Sequence, residues 1–263
     1  KSVEWLVLDE ADKLLDLGFL EQLDEILSSC SNSKLHCSLF SATISEKVQE
    51  LARTILRDPV SVFVGKRNTP TETIMQELKY CGREDGKLLA IRQLFNTGLE
   101  PPVLIFVQSV DRAKQLFHEL VYDNINVDAI HSERTQAQRD SVIRKFRSGD
   151  IWVLIATDVL GRGMDFKGVN VVINYDFPTS TANYIHRIGR TGRAGRAGKA
   201  ITFFTNEDFT NLRSIVNIIK ESGGEVPEWL LKFKRPNAKK RKQLEKKPVD
   251  REDISIIPNK RKK

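Results

Sequence analysis

Residues 5–12 have the sequence Trp-Leu-Val-Leu-Asp-Glu-Ala-Asp, an apolar run followed directly by carboxylates. The run Trp5–Leu8 is typical of a strand that is buried on both faces of a parallel sheet. Asp9 and Glu10 then stand at the carboxyl end of this strand, where open α/β sheets bind their ligands. Because Mg²⁺ prefers carboxylate oxygens, the stretch predicts a site for Mg²⁺ and a nucleotide.

The same stretch implies an upstream segment. A phosphate-binding glycine loop, with its Lys and Ser/Thr, is expected before such a strand. Only eight residues precede Asp9. We therefore expect these 263 residues to be the later part of a nucleotide-driven protein and to have no appreciable ATPase activity of their own.

Composition narrows the class of protein. No run approaches the roughly 18 apolar residues of a membrane helix, and the first residues do not have signal-peptide form. We therefore expect an intracellular protein without a membrane span. The three cysteines match no Cys-x-x-Cys spacing, which argues against a disulfide framework and against a zinc site.

The net charge of +7 is concentrated at the C-terminus. Residues 234–263 contain 13 Lys and Arg against four acidic residues, a charge of +9, which leaves −2 for residues 1–233. We expect this basic tail to be disordered. It is interpreted as a nuclear or nucleolar address, as a phosphate-binding arm or as a solvated terminus.

Two series of alternating strands and helices predict an α/β fold with parallel sheets. In the first series, strands are expected at 3–8, 36–40 and 60–64. In the second series, strands are expected at 75–81, 103–107, 127–130, 151–156, 170–174 and 200–204. Thr43 with Glu46 fits a capping box for a helix of the first series. Trp5 and Trp152 lie in apolar strand patterns and are expected in the core.

The stretch 66–73, which contains Pro70, is polar and without periodicity, so it is the expected linker. It separates a first domain at 1–65 from a second domain at 74–233. The basic tail, 234–263, follows the second domain.

A second candidate site lies in His186-Arg187-Ile188-Gly189-Arg190-Thr191-Gly192-Arg193. If this segment begins as a helix, Arg187 and Arg190 share a face, and Gly192 allows a turn that brings Arg193 to a nearby point. Clustered guanidinium groups suit a polyphosphate, because charge develops on its terminal oxygens during phosphoryl transfer. The alternative is a solvated basic face.

Motifs in this chain occur in the order found in DEAD-box RNA helicases, which they resemble. They are Asp9–Asp12, Ser41–Thr43, Ala156–Val159 with Arg162–Asp165, and His186–Arg193. The resemblance spans about residues 3–225 and implies two RecA-like parallel-sheet domains, the first only partial and the second complete. It also implies an ATP-dependent RNA helicase that couples ATP hydrolysis to local duplex unwinding or to remodelling of RNA–protein complexes.

The resemblance implies that ATP and Mg²⁺ bind at the first and last of these motifs. Asp9 is expected to hold Mg²⁺ through water, and Glu10 to orient and deprotonate the attacking water. Arg190 and Arg193 are expected to act as arginine fingers at the γ-phosphate. Asp165 is expected to contact the ribose.

Four polar residues, by the same resemblance, form a relay that couples the two domains when ATP and RNA are bound. They are Asp12, Ser41, Thr43 and His186. For Ser41 and Thr43 the alternative role is helix capping.

Ser109, Arg139 and Thr157 match positions that contact RNA phosphates or sugars in the family. Small hydroxyls and helix amino termini suit the RNA backbone rather than base edges, so RNA binding is expected to be largely independent of sequence. Arg139 considered alone is also typical of a charge on a helix surface.

Phe106–Ser109, Phe166–Val169 and Tyr175–Pro178 resemble most closely the subgroup involved in small-subunit ribosome biogenesis. This implies pre-rRNA as the RNA partner and a nuclear, nucleolar location. We expect a monomer, and a protein activator is left open. Two stretches depart from the usual family pattern: His131-Ser132-Glu133, where His-Gly-Asp is common, and Leu160-Gly161, where two small residues are common.

Two rival functions stay open. One is a non-catalytic RNA-binding or assembly scaffold, against which the intact Glu10, Arg190 and Arg193 argue. The other is a DNA helicase, from which contacts to RNA 2′-hydroxyls would distinguish this protein.

Overall fold

The computed structural model describes residues 2–16, 18–65, 68–158, 166, 168–193, 195–232 and 249–254. The chain divides into a first unit, Lys1–Thr69, and a second unit, Pro70–Lys263. Each unit contains helices and a parallel sheet, which confirms the α/β fold class. No helix among the described residues is both long enough and apolar enough to cross a bilayer.

The first unit is built around two paired strands. In chain order its elements are β1 (Trp5–Leu8), α1 (Ala11–Asp16), α2 (Leu20–Ser29), β2 (His36–Leu39) and α3 (Glu46–Ile55). The strands are parallel, with Leu8 opposite Leu39 at their carboxyl ends. The segments that follow β1 and β2 therefore start side by side at one edge of the sheet.

The strand expected at 60–64 is not formed. This run has no ladder to β1 or β2 in the described part of the first unit, and Val60, Val62 and Val64 are 89%, 79% and 96% exposed. The β-branched residues of this run favour a strand only where a neighbouring strand and a covered face are available. The sequence pattern alone specifies neither the neighbouring strand nor the covered face.

The expectation that Trp5 and Trp152 are buried is wrong, since they are 66% and 55% exposed. Trp5 shares an exposed face of β1 with Val7 and stacks on His36, with ring centroids 4.8 Å apart. Trp152 comes one residue before β6 (Val153–Thr157) and so lies outside the strand whose side chains are buried.

The capping box expected at Thr43 is also not formed. Ser45 is the N-cap of α3, and its hydroxyl accepts a hydrogen bond from Val48 N at 3.3 Å. Because the helix begins at Glu46, Ser45 is the residue whose oxygen reaches an unsatisfied amide of the first turn. The hydroxyl of Thr43 donates to Asp12 instead.

The second unit begins at Pro70, within the stretch 66–73 that was expected to be the linker, and it contains the larger sheet. Its elements are β3 (Ile74–Tyr80), α4 (Glu84–Asn96), β4 (Val103–Val107), α5 (Val110–Tyr122), β5 (Val127–Ile130), α6 (Gln136–Ser148), β6 (Val153–Thr157), β7 (Val171–Asn174), α7 (Thr181–Ile188), β8 (Gly198–Phe204), a 3-10 helix Asn206–Asp208, α8 (Phe209–Glu221) and α9 (Glu228–Leu231). The six strands lie in the order β3-β8-β7-β4-β6-β5, and every pair is parallel.

The centre of this sheet is covered on both faces. Alternate residues of β4 enter different cores: Val103, Ile105 and Val107 pack with α4 and α5, whereas Leu104 and Phe106 pack with α6. This two-sided burial explains why β4 is a continuous apolar run and not an alternating one. It also leaves the carboxyl ends of β4, β6 and β7 as the edge from which polar side chains project.

Residues 249–254 of the basic tail adopt a defined structure, which corrects the expectation of disorder for 234–263. These residues pack on the second unit. Ile254 is 7% exposed and belongs to the core cluster that contains α4 and α5. The composition of the tail did not predict this, because Lys and Arg dominate it and the docking depends on two individual side chains, Arg251 and Ile254.

Candidate functional site

Asp9 and Glu10 follow β1 directly and precede α1, as expected. The Oδ1 atom of Asp9 accepts a hydrogen bond from Glu10 N at 2.8 Å, and the Asp9 side chain is exposed. Glu10 has φ 49°, in the left-handed region that non-glycine residues rarely occupy. Such conformations persist where surrounding structure enforces them, and they are common at functional sites.

Asp12, Ser41 and Thr43 come together where the segments after β1 and β2 meet. The hydroxyl of Thr43 donates to Asp12 Oδ2, and Asp12 N donates to Ser41 Oγ at 3.4 Å. Ser41 Oγ in turn donates to Thr43 O at 2.8 Å. Asp12 is 5% exposed and Thr43 8% exposed, so this is a buried polar junction. The structure thus places three of the four expected relay residues in contact within the first unit.

The fourth relay residue, His186, lies on α7 in the second unit. Ser180 caps this helix by accepting a hydrogen bond from Asn183 N at 3.1 Å. His186 and Arg190 are 5% and 6% exposed, and Arg190 Nε donates to His186 O at 3.1 Å. The Arg190 side chain therefore folds back onto the backbone of His186, four residues earlier.

Arg193 follows α7 after a turn that only glycine allows at position 192. Gly192 has φ 67°, and a Cβ atom there would lie 2.5 Å from Ile74 Cγ1. Arg193 is exposed, and its Nε donates to Gly189 O at 2.8 Å. The expected turn at Gly192 is therefore present, and it leaves the Arg193 side chain accessible.

Arg187 points into the protein, so Arg193 is the one of the three arginines Arg187, Arg190 and Arg193 whose side chain is exposed. Its Nε and Nη2 atoms donate to the two carboxylate oxygens of Asp158 at 2.6 and 2.9 Å. Its guanidinium also lies 5.4 Å from the ring centroid of Phe106. A bidentate ion pair with 3% exposure of the arginine side chain holds α7 against the end of β6.

Ser109 and Thr157, two of the expected RNA contacts, stand at the ends of adjacent strands. Thr157 is the last residue of β6 and lies opposite Val107, the last residue of β4. Ser109 is the N-cap of α5, and its hydroxyl accepts a hydrogen bond from Arg112 N at 3.3 Å. The sheet register therefore brings these two hydroxyl-bearing positions to the same edge.

Arg139, the third expected RNA contact, lies in α6. This helix begins with a capping box, in which Thr135 and Gln138 bond reciprocally to each other's backbone N–H. The Nε atom of Arg139 is buried and has no hydrogen-bond partner among the described residues. A buried donor without a partner is costly, so a ligand that accepts from it is favoured. Asp165, the expected ribose contact, lies outside the described residues.

A buried charged cluster in the second unit was missed by the sequence analysis. Its members are Glu84, Lys87, Arg112, Asp176, Asp208 and Arg251. Asp176 is fully buried and accepts hydrogen bonds from Arg112 Nε at 2.7 Å and from Lys87 Nζ at 3.1 Å. The available signal was the position of Lys87 and Arg112 on the apolar faces of α4 and α5.

The cluster shifts the pKa of three of its members, Arg112, Asp176 and Arg251. Burial of Asp176 favours the neutral acid, but the positive charges of Lys87, Arg112 and Arg251 outweigh it and hold the pKa of Asp176 far below 3.8. Burial opposes the charge of Arg251 as well, yet Asp176 and Asp208 raise the pKa of that guanidinium. Asp176 and Arg251 are therefore both charged at neutral pH.

The residues at the first motif fit Mg²⁺ held through water. Asp9 offers one exposed carboxylate, and Oδ1 of that carboxylate already accepts a backbone hydrogen bond. Mg²⁺ keeps several waters and takes one or two carboxylates, so a single exposed carboxylate is an adequate protein ligand. When bound, Mg²⁺ would neutralise charge on phosphate oxygens.

Two family models match the chain. The model described as "DEAD/DEAH box helicase" matches residues 1–51, and the one described as "Helicase conserved C-terminal domain" matches residues 86–195. These ranges contain Asp9–Asp12 and His186–Arg193 respectively. The matched ranges fall in the first and the second unit.

Curated relatives are similar over almost all of this chain. The protein named "Probable ATP-dependent RNA helicase ddx52" of Dictyostelium discoideum is 55% identical over 257 residues, which are 98% of this chain and 38% of that protein. The "ATP-dependent RNA helicase ROK1" of Scheffersomyces stipitis is 53% identical over 260 residues, which are 98% of this chain and 47% of that protein. The chain thus spans less than half the length of these relatives.

Solved structures have the same architecture. S. cerevisiae Dbp5 bound to RNA and ADP BeF3 is similar with a TM-score of 0.75 and 31% identity, over 94% of this chain and 62% of that one. The C-terminal domain of the DEAD-box protein Dbp5 is similar with a TM-score of 0.52 and 36% identity, over 58% of this chain and 87% of that one. Motifs, sheet topology and these similarities agree, and the chain belongs to the DEAD-box helicase family.

Proposed function

We propose that the whole protein is an ATP-dependent RNA helicase that couples ATP hydrolysis to local duplex unwinding or remodelling of RNA–protein complexes. The observation that carries the proposal is the pair Asp9 and Glu10 at the carboxyl end of β1, with Glu10 held at φ 49°. The same chain carries Arg190 and the exposed Arg193 after α7. A scaffold needs neither a water-activating carboxylate nor an exposed arginine that can bind a phosphate.

In the proposed reaction, each candidate residue has a distinct role toward ATP. Asp9 holds hydrated Mg²⁺, and Glu10 orients the attacking water and accepts its proton. Arg190 and Arg193 stabilise the charge that develops on the γ-phosphate oxygens, an effect on the order of 10³–10⁵ in other nucleotide hydrolases. Asp165 is proposed to contact the ribose.

RNA is proposed to bind through its backbone at the edge formed by the ends of β4 and β6. Ser109 and Thr157 supply hydroxyls at adjacent strand ends, and Arg139 supplies the buried Nε donor of α6. These groups suit phosphates and sugars, which supports binding that is largely independent of sequence. The structure of S. cerevisiae Dbp5 bound to RNA supports an RNA partner for this chain as well.

Coupling between nucleotide and RNA is proposed to run through Asp12, Ser41, Thr43 and His186. The junction of the first three is buried and hydrogen-bonded, so a shift of the segment after β2 changes the surroundings of Asp12 directly. His186 is proposed as the fourth residue of this relay. The other three are the residues of the buried junction.

The biological setting is proposed from the subgroup resemblance. Phe106–Ser109 and Tyr175–Pro178 support a role in pre-rRNA processing and ribosome biogenesis, in the nucleus and nucleolus. We propose a monomer that a protein activator can stimulate.

The substitution Glu10→Gln in the whole protein tests the catalytic assignment. We expect ATP turnover in the presence of RNA to fall by roughly 10²–10⁴-fold, because a general base contributes that much in typical enzymes. ATP binding should persist, since Gln is isosteric. Phosphate release under saturating RNA is the measurement.

Glu50→Gln is the matched control, because Glu50 is an exposed residue of α3 and makes the same change of charge. Turnover by this variant should equal that of the unchanged protein. Equal turnover by the Glu10 variant would reject the helicase proposal and leave the scaffold.

A further inference from the structure

Residues Val249–Ile254, here called the C-terminal strap, dock on the second unit in a way that the basic composition of the tail did not predict. Val249 and Glu252 use their backbone carbonyls, Arg251 and Asp253 their side chains, and Ile254 both its amide and its side chain. A segment with contacts at five of its six residues is a built interface of the chain with itself.

Arg251 is the centre of the strap. Its side chain is 2% exposed, with Nη1 at 2.7 Å from Glu84 Oε1 and Nη2 at 2.7 Å from Asp208 Oδ1. Its Nε donates to Gln108 Oε1 at 3.1 Å. Three directed contacts use the planar fork of a guanidinium, which a lysine ammonium cannot reproduce.

The charge of the cluster shows that Arg251 completes it. Without the strap, the buried cluster holds the acids Glu84, Asp176 and Asp208 against the bases Lys87 and Arg112, a net charge of −1. Arg251 brings the net charge to zero. A buried charge left without compensation is strongly unfavourable, so the second unit presents a ready site for one guanidinium.

Gln108 links the strap to the edge proposed to bind RNA. Its side-chain Nε2 donates to Val249 O at 2.9 Å while its Oε1 accepts from Arg251. Its backbone N–H donates to Asp176 Oδ2 at 2.9 Å. The next residue is Ser109, the N-cap of α5, so these bonds fix the backbone that carries the Ser109 hydroxyl.

The strap also holds the helix that Ser109 begins. Arg112 Nη1 donates to Glu252 O at 2.6 Å, and Gln115 bonds to both Asp253 Oδ1 and Ile254 N. These contacts follow one side of the first two turns of α5. The strap therefore braces the start of α5 from Gln108 to Gln115.

We propose that the C-terminal strap positions Gln108 and Ser109 for binding to the RNA backbone, with Arg251 as the positioning residue. This inference rests on the proposed RNA contact at Ser109. Arg251 itself does not touch RNA: it acts by fixing the amide side chain of Gln108.

The test compares five variants of the 263-residue chain: Arg251→Ala, Arg251→Lys, Ser109→Ala, Leu230→Ala and Arg57→Ala. Leu230 is buried in a different cluster, so its truncation lowers stability without touching the strap. Arg57→Ala, an exposed residue of the first unit, controls for the loss of one positive charge. Binding of a labelled single-stranded oligouridine is measured by fluorescence anisotropy, and amide exchange is measured over residues 108–115.

For Arg251→Ala we expect the RNA dissociation constant to rise by roughly 3–10-fold, the equivalent of one or two hydrogen bonds. Exchange over residues 108–115 should accelerate by about tenfold or more. Arg251→Lys should recover much of the thermal midpoint, because the charge is restored, but not the RNA affinity, because the fork is lost. Leu230→Ala and Arg57→Ala should bind RNA as the unchanged chain does.

The proposal is overturned if Arg251→Ala weakens RNA binding no more than Leu230→Ala does while Ser109→Ala still weakens it. If Ser109→Ala has no effect, the RNA contact is misassigned and the positioning role fails with it. In that event, exchange over residues 108–115 still decides separately whether the strap braces α5.

Discussion

The hydroxyl of Thr43 forms a hydrogen bond with a different partner from the one that its sequence context predicts. Both Thr43 and Ser45 precede α3, and either could cap it by residue type. Ser45 takes the cap, which leaves the hydroxyl of Thr43 for Asp12. Because Asp12 lies 31 residues earlier in the chain, local pattern could not reveal this bond.

Replacement of Thr43 by Val should destabilise the first unit by about 1–3 kcal/mol, because the buried carboxylate of Asp12 loses one donor. Amide exchange of α1 and α3 in the 263-residue chain measures the change. Thr54→Val on the exposed side of α3 is the matched control and should change stability by less than about 0.5 kcal/mol. Equal effects of the two substitutions on stability would contradict a stabilising role of the hydrogen bond between Thr43 and Asp12.

At the scale of elements, α7 shows how a short helix can present polar residues in two directions. Arg187 turns inward to Asp158. Arg190 and Arg193 follow the helix, Arg190 bonding to the backbone of His186 and Arg193 coming after the turn at Gly192. The inward ion pair fixes the helix on the sheet. The residues proposed for catalysis therefore depend on a neighbour that has no catalytic role.

Ser180→Ala should loosen this helix by about 1 kcal/mol, because the N-cap acceptor for Asn183 N is lost. Ser180→Asp should keep most of the stability, since Asp is an equally good N-cap. Exchange of the amides in the first turn of α7 is the measurement, with the exposed Ser132→Ala as control. Equal rates of amide exchange in Ser180→Ala, Ser180→Asp and Ser132→Ala would show that the Ser180 cap does not stabilise α7.

At the scale of the whole molecule, the buried charged cluster joins distant parts of the second unit. Glu84 begins α4, Arg112 lies in the first turn of α5, Asp176 follows β7, and Arg251 comes from the strap. Each ion is compensated only when all of these elements are in place. The cluster therefore makes the packing of α4, α5 and the strap interdependent.

The pKa of Asp176, held far below 3.8, predicts acid sensitivity of the second unit. The unfolded chain binds a proton near the ordinary pKa and the folded chain does not, so the contribution is complete above about pH 5 and is lost as the pH falls below 4. The free energy of unfolding of the 263-residue chain should fall by up to about 1.4 kcal/mol per pH unit for this one group.

Urea unfolding of the unchanged chain and of Asp176→Asn, measured between pH 7 and pH 2.5, tests this prediction. The variant is less stable at pH 7, and its free energy of unfolding should depend less steeply on pH below 4. Parallel pH profiles for the two proteins would show that Asp176 is not the responsible group.

The α/β class, the strands of the second sheet and the order of the motifs were predictable, because apolar runs and the polar residues that follow them are local features. Asp9 and Glu10 could be placed at a strand end for the same reason. The run at 60–64 and the exposed Trp5 were not predictable, since burial depends on neighbours that the local pattern does not specify.

The sequence by itself determined the family motifs, the parallel sheets and the candidate residues for nucleotide and RNA. Only the tertiary structure decided that Thr43 bonds to Asp12, that Arg187 forms an ion pair with Asp158, and that Arg251 completes a buried cluster. Hydrophobic periodicity repeats over a few residues and is visible in one segment. The partners of a buried charge lie far apart in the sequence and meet only in the folded chain. Composition alone therefore does not distinguish a solvated charged tail from a docked strap.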